Sequence, residues 1–400
     1  MLSNRRILLG ICGGVALYKA CELIRLLKKE EAEVKAVLST GAENFAQPLL
    51  FSALTGEKTY TNADFFLSSG SIPHIELARW PDLILILPAT ASFLSKLRCG
   101  QASELLLALL LATRSPVYLF PSMNTAMLEH PATQENLKVL RSYGYFVYEA
   151  SEGELACGEV GKGRLPEPEE IFELVKAHFK EKDLLGKKIL ITGGPTKEYL
   201  DQVRYITNAS SGKTAFFLLK EAYYRGAEVY LIWGGGEIKE NLPRLDYTHS
   251  IPYPKIIPVS TTEEMYNQAK EIFPMVDIAI FAAAPCDFRP KNPFPGKIKK
   301  QKDLVLHLEL TPDIAKGLST QKKHQITVGF ALEEREKLRD YALIKRKEKA
   351  FDILVANPVE TIGAGASDYL ILGPNFEKEF INLSKEELAK QIFDLTLQLF

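Results

Sequence analysis

The sequence predicts an α/β protein made of two doubly wound, Rossmann-like domains. Three observations predict this. Short apolar runs alternate with helical patterns along all 400 residues. Those runs lack in/out alternation, as parallel strands covered on both faces do. The pattern also stops at a charged stretch, Lys180 to Gly186, and then begins again. With 46% hydrophobic and 25% charged residues the chain has enough apolar side chain for two cores of ordinary size. Lys and Arg number 49 against 50 Asp and Glu, so no net field draws nucleic acid or anionic lipid, and an anionic ligand has to be held locally.

Taken in order, MLSNRRILLGICGGVAL imitates a secretory signal, an arginine pair before an apolar run. The reading that fits the next residues is a short buried strand, ILLGI, a CGG turn and a helix with Leu17, Ala20, Leu23, Ile24 and Leu27 on one face. VKAVLS, DLILILPA and PVYLFPS are further strands. LLLALLLA, Leu105 to Ala112, falls far short of the ~18 apolar residues that span a bilayer, and reads as a buried helix. A helix in EPEEIFELVKAHF closes the first domain, 1–179; residues 180–186 read as a linker, and 187–400 as the second domain.

The second domain opens with KKILITGGPT, continues through a helix from about Gly212 to Arg225, and adds strands at AEVYLIWG, VDIAIFAAA, QITVGFAL and FDILVAN. Ligands of open parallel sheets sit beyond the carboxyl ends of the strands, so the loops after 193–194, 282–284, 329–331 and 356–357 should face one crevice. The proline-rich stretch Pro285 to Lys302 is too long for an ordinary connection and reads as a functional flap. Five cysteines, at 12, 21, 99, 157 and 286, are odd in number and irregularly spaced, which suits reduced thiols in a cytoplasmic protein and offers no C-x-x-C zinc site.

In the first domain His74 precedes a helix in IPHIELARW, Asn124 follows a strand in PSMNTAM, and Cys157 lies in the glycine-rich loop ACGEVGKGRL. Singly each has a bland reading: a surface histidine, a helix N-cap, an inert thiol. PATASFLSK adds Thr90 and Ser92 at a helix start, where hydroxyls and backbone N–H groups can hold a phosphate, and the CGG turn, with Gly13 and Gly14, offers a second such edge. The set then contains a base, an amide for a carboxylate and a thiol acid. In the second domain TNASSGKTAFF carries the end of a P-loop, but Thr207 stands where its first glycine belongs, and some 20 residues separate it from the preceding strand. It reads instead as a turn that sets Ser210, Ser211 and Gly212 against an anion at a helix N-terminus. YALIK has the Y-x-x-x-K spacing of short-chain dehydrogenases without their glycine turn, and reads as the face of a basic helix.

GGVALYK, His74, PATASFLSK, PSMNTAM and ACGEVGKGR resemble the flavin-dependent phosphopantothenoylcysteine decarboxylases. GGPT, DQVRYITNASSGK, AAAPCDFRP, GKIKK, GFALE and FDILVAN resemble, in order, the bacterial CTP-using phosphopantothenate–cysteine ligases, so that the two similarities span nearly the whole chain. The resemblance implies a flavodoxin-like FMN sheet followed by a nucleotide-binding sheet with a flap, in a bifunctional enzyme of coenzyme A biosynthesis. It implies ligation of 4′-phosphopantothenate with cysteine through an acyl-cytidylate, made from CTP with Mg²⁺, and then FMN-dependent decarboxylation of 4′-phosphopantothenoylcysteine to 4′-phosphopantetheine.

By the same resemblance His74 is the catalytic base, Asn124 orients the substrate carboxylate, Cys157 is the acid, and Gly13, Gly14, Thr90, Ser92 and Met123 hold the flavin. Asn208 and Arg204 lie at the acyl-cytidylate and Lys297 neutralises charge as it forms. Ser210, Ser211, Gly212, Ala283, Asp287, Phe330, Lys345 and Lys349 make the nucleotide site, with no residue assigned to the metal. The implied assembly is a homo-oligomer, trimeric through the decarboxylase and dimeric through the ligase, with small-molecule substrates and neither nucleic acid nor membrane as partner. Pro285 and Cys286 replace a usual Val and Ala, Pro358 a usual Asp and Tyr369 a usual Asn, which bears on the choice of CTP. Two other readings are a flavin-binding regulatory homologue that inhibits phosphatases, and a flavin-dependent cysteine decarboxylase without ligase activity.

Overall fold

The computed structural model describes residues 2–66, 72–155, 158–235, 242–245, 251–300, 303–361 and 365–400. It divides into two compact units, Met1–Phe179 with Leu242–Thr248, and Lys180–Asn241 with His249–Phe400. The first is built on β1 (Arg6–Ile11), β2 (Glu33–Leu38), β3 (Leu83–Ala89), β4 (Val117–Pro121) and β5 (Phe146–Val147), all parallel, in the order β2-β1-β3-β4-β5. This is the flavodoxin-type order, whose chain reverses direction across the sheet between β1 and β3. Every residue of β3 is buried, and so is all of β1 but its first, which is why neither run alternates.

Helices α1 (Tyr18–Lys29), α2 (Pro48–Thr55), α3 (Pro73–Arg79), α4 (Ala91–Arg98), α5 (Leu105–Ala112), α6 (Thr125–Glu129), α7 (Pro131–Ser142) and α8 (Pro168–Phe179) cover the sheet. α1 buries Ala20, Leu23, Ile24 and Leu27, four of the five residues expected on its inner face, and Leu17 is buried in the turn before it. α5 is the apolar run, buried from Leu105 to Leu110. Among the described residues no helix is long and apolar enough to cross a membrane. Of ACGEVGKGRL, expected as a loop, Val160–Arg164 is instead a strand, β7, paired antiparallel in a hairpin with β6 (Ser151–Glu154); Ala156 and Cys157 lie outside the described residues.

The second unit holds β8 (Lys188–Gly193), a small hairpin of β9 (Lys197–Tyr199) and β10 (Tyr205–Thr207), β11 (Glu228–Trp233), β12 (Lys255–Pro258), β13 (Ile278–Phe281), the pair β14 (Phe288–Pro290) and β15 (Leu308–Leu310), β16 (Ile326–Glu333), β17 (Ile353–Pro358), β18 (Ala366–Leu372) and β19 (Glu377–Ser384). Its main sheet runs β12-β11-β8-β13-β16-β17-β18-β19, parallel through β17 and antiparallel over the last two strands. The switch point falls between β8 and β13. Helices α9 (Lys213–Tyr224), α10 (Thr262–Ile272), α11 (Ile314–Ser319), α12 (Leu338–Glu348) and α13 (Lys385–Leu397) complete it.

Two expectations change. Residues 180–186 are not a free linker: Leu184 is fully buried, Lys180 Nζ meets Glu221 at 2.8 Å, and Asp183 pairs with Arg225, so the stretch is the first segment of the second unit. The flap begins later than Pro285, because residues 288–290 form β14 and pair with β15.

Candidate active sites

The loops at the first switch point enclose a cavity of about 740 Å³ whose walls include Gly13, Gly14, Thr90, Ser92, Met123 and Asn124. Gly13 follows β1 so closely against the Gly41 backbone that a Cβ there would run into the Gly41 carbonyl, so only glycine lets the two loops meet. Thr90 caps α4, its hydroxyl accepting from Phe93 N at 3.4 Å. The bland reading of Asn124 is also true: its Oδ1 accepts from Ala126 N at 2.9 Å and caps α6. Its amide nitrogen donates to Glu159 Oε2 at 2.6 Å, which ties the hairpin to the cavity.

That hairpin is a wall as much as a lid. Met123 N donates to Gly163 O at 3.0 Å, and Glu154, Leu155 and Gly163 line the cavity. Lys19, almost fully buried on α1, donates to Leu165 O at 2.8 Å and pins the hairpin's outgoing end. His74 does not line this cavity. It sits on the first turn of α3 with its ring edge against Phe65, centroids 5.4 Å apart, and its Nδ1 is buried without a hydrogen-bond partner. A buried polar atom left so costs about 1–3 kcal/mol, a debt that a functional group commonly carries.

In the second unit two neighbouring cavities open at the switch point, of about 540 and 410 Å³. The larger is walled by Asn208, Ser210, Ser211, Gly212, Ala284 and Asn357, the smaller by Pro285, Cys286, Thr311, Asp313 and Lys349, and both share Ala283, Asp287, Phe330 and Lys345. Only part of the expected crevice is made by loops: residues 282–287 follow β13 and 208–212 precede α9, whereas Thr192, Phe330 and Asn357 line it from within β8, β16 and β17 themselves. β8 and β13 stay paired beyond the sheet, Ala282 N donating to Thr192 O at 3.1 Å and Ala284 N to Gly194 O at 3.0 Å, so that both loops enter together. Asn208 Nδ2 donates to Ala284 O at 3.2 Å and Pro285 O at 2.9 Å, holding its turn against that ridge.

The apparent P-loop is resolved by Gly212. It has φ +73°, immediately before α9, and a Cβ there would overlap the Trp233 ring. Its glycine answers to backbone hand and packing, not to a phosphate cradle. Gly212→Ala is therefore expected to lower stability by about 1–2 kcal/mol for the left-handed alanine and a further ~1–3 kcal/mol for overpacking, read as a shift in the denaturant midpoint.

Arg204 and Lys297 line neither cavity. Arg204 is engaged with Asp201, and Lys297 is exposed on the flap. Lys345 is held below the ordinary lysine value by burial first and by Lys349 second. Asp313, a helix N-cap, meets Lys349 Nζ at 2.9 Å. Of the departures, Cys286 has its Sγ 3.5 Å from the carbonyls of both Thr196 and Ile206, to either of which its one S–H can donate, and Tyr369 lies buried in the wall of the larger cavity. Sequence reasoning missed Lys385 in that wall. Its signal was a lysine at the first position of α13, directly after the Ser384 cap, where the helix dipole disfavours a cation.

A flavoprotein family model matches residues 1–180, and a model of the DNA/pantothenate metabolism flavoprotein C-terminal domain matches residues 184–399. The chain is 42% identical over 369 residues to the coenzyme A biosynthesis bifunctional protein CoaBC of Bacillus subtilis, covering 91% of this chain and 88% of that protein. To the CoaBC of Borreliella burgdorferi it is 36% identical over 399 residues, covering 99% and 100%. Among solved structures it is similar to the C-terminal domain of a CoaBC protein, at 32% identity and a TM-score of 0.45, over 54% of this chain and 96% of that one. A regulatory homologue or a lone decarboxylase would leave the second match without a place. Matched in both halves and along most or all of the length of these relatives, the chain belongs to the family of bifunctional coenzyme A biosynthesis proteins, enzymes that join a phosphopantothenoylcysteine decarboxylase to a phosphopantothenate–cysteine ligase.

Proposed function

We propose that the second unit uses CTP with Mg²⁺ to join 4′-phosphopantothenate to cysteine through an acyl-cytidylate, and that the first unit binds FMN and decarboxylates the product. The observation that carries this reading is that each sheet's switch point opens into a cavity walled by the motif residues. The first cavity fits a flavin: a glycine edge that a Cβ would close, hydroxyls at Thr90 and Ser92 for a phosphate, and Met123 on the wall for an apolar ring. When bound, FMN would take two electrons from the cysteinyl moiety, which lets its carboxylate leave, and give them back to the decarboxylated product. Asn124 orients the carboxylate, His74 takes the proton, and Cys157 returns one. A trimer with sites shared between protomers would account for a histidine that stands off the wall of its own chain's cavity; the ligase unit is proposed to add dimeric contacts, and the enzyme to work in the cytoplasm.

In the second unit Lys297 offsets charge at the α-phosphate, Arg204 and Asn208 hold the anhydride, and Lys345 and Lys349 meet the nucleotide. Among the described residues no cluster of three His, Cys, Asp or Glu stands ready for a metal. Mg²⁺ commonly rides on substrate phosphates with only one or two protein carboxylates, and Asp287 in the shared wall can serve as one.

The test is direct. The purified full chain should show flavin absorbance and release pyrophosphate from CTP only with 4′-phosphopantothenate present. Colourless protein that takes up no FMN would undo the first half, and equal use of ATP would undo the choice of nucleotide. Lys345 adds a pH signature. Its depressed value means the charge is lost as pH rises while an ordinary lysine, at 10.5, still keeps its own. Nucleotide affinity should therefore fall on the alkaline side, and Lys345→Arg, which stays charged, should flatten that fall; superimposable affinity–pH curves would reject the contact.

A further inference from the structure

The flap is not loosely attached. Four hydrogen bonds join residues 294–298 to the turn 200–204 between β9 and β10: Phe294 N donates to Leu200 O at 2.9 Å, Gln202 Nε2 to Pro295 O at 3.0 Å, Ile298 N to Asp201 Oδ2 at 2.9 Å, and Arg204 Nη1 to Ile298 O at 3.0 Å. Asp201 is the centre of this seam. Its side chain is fully buried, and its two oxygens have different duties. Oδ1 accepts from Val203 N and Arg204 N, both at 2.7 Å, and shapes the turn. Oδ2 accepts from Arg204 Nη1 at 2.6 Å and from Ile298 N, and so closes the turn onto the flap. Ile298 is held at both its N–H and its carbonyl, and it is the residue after Lys297.

We propose that Asp201 is a positioning residue of the ligase reaction, a buried latch that sets the flap, and with it Lys297, through the same turn that leads along β10 to Asn208. This rests on the role given above to Lys297. Four donors converge on one carboxylate, more than a turn needs, and the two aimed at Oδ2 come from the flap and from the arginine that also grips it. Burial pushes the Asp201 carboxyl up, but the N–H groups of Ile298, Val203 and Arg204 and the Arg204 guanidinium outweigh it and hold the group ionised, well below the usual carboxylate range. The turn and the flap therefore share one anion, so the segment that carries Arg204 and Asn208 cannot shift without moving the base of the flap.

The split between the two oxygens supplies the test. Asp201→Asn can keep Oδ1 for the turn but presents an amide N–H₂ to the two donors at Oδ2, which breaks the bonds to Ile298 N and to the Arg204 guanidinium. In the full-length protein this variant is expected to raise trypsin cleavage after the exposed Lys297 and Lys299 about tenfold, as a local opening does. It should lower kcat for pyrophosphate release about tenfold or more, with KM for the nucleotide little changed. Decarboxylation by the same polypeptide should be unaltered. Unchanged flap cleavage overturns the latch. Faster cleavage with unimpaired turnover overturns the positioning role, and Lys297→Gln measured alongside shows whether the flap lysine's own role fails with it. Should Asp201→Asn not fold, Gln202→Ala removes only an exposed stitch of the same seam; it is expected to raise flap cleavage by a smaller factor, and no rise overturns the proposal.

Discussion

His74→Asn is expected to cut carbon dioxide release by about 10²–10⁴-fold, the range for removal of a positioned general base, while leaving ligation intact. His74 is the residue of α3 whose ring nitrogen is buried without a partner, and asparagine fills part of its space without an imidazole's basicity. Flavin content should persist, since the residues proposed to hold the flavin, Gly13, Gly14, Thr90, Ser92 and Met123, are untouched. Ligation should persist because both cavities of the second unit are built from residues of that unit alone. Carbon dioxide release, flavin absorbance and pyrophosphate release measured on one preparation decide it. Parallel loss of both activities in folded, flavin-loaded protein would contradict two separate sites.

The second large effect separates two steps of the ligation. Asn208→Asp should still release pyrophosphate yet slow product formation about 10²–10³-fold, the scale of losing one aimed donor at a reacting centre. The amide of Asn208 donates to the Ala284 and Pro285 carbonyls; a carboxylate cannot, and it also sets a negative charge beside the anhydride. Lys297→Gln should release little pyrophosphate at all. Mass spectrometry of quenched reactions distinguishes them: the Asn208 variant accumulates an acyl-cytidylate and the Lys297 variant does not. An Asn208 variant with nothing trapped, or a Lys297 variant that forms the intermediate at the normal rate, would reject these roles. Thr207→Gly should confer no ATPase, because Gly212 is held by Trp233 and by its left-handed φ and not by a phosphate loop.

Much of the fold was legible because its signals are local. β1 and β3 are continuous apolar runs since both faces are covered, and the helix face of α1 follows from side-chain period alone. β18 and β19 were not read. β19, EKEFINLS, is a charged and mostly exposed edge strand, and such strands carry no burial pattern to detect. The CGG turn, Thr90 and Ser92, and the Ser210–Gly212 turn were legible as strand ends and helix starts that can face an anion, whereas Met123, Ala283, Asp287, Phe330, Lys345 and Lys349 were implied by the family resemblance. What escaped depends on distance along the chain. Asp201 looks like any turn aspartate until Ile298, 97 residues later, arrives at its second oxygen. The position of His74 off its cavity could not be inferred from a motif that shows only that a histidine starts a helix.

The wall common to the two ligase cavities, formed by Ala283, Asp287, Phe330 and Lys345, has a kinetic meaning. On the proposed chemistry the first step makes a mixed anhydride that water destroys, so its fate is a race between hydrolysis and the incoming amine. Two adjoining spaces with one partition let the activated acyl group meet its second reactant without release into bulk solvent. The number of amide bonds made per nucleotide consumed then measures how well that partition keeps water out, and a smaller side chain at Phe330 should lower the ratio before it lowers the rate.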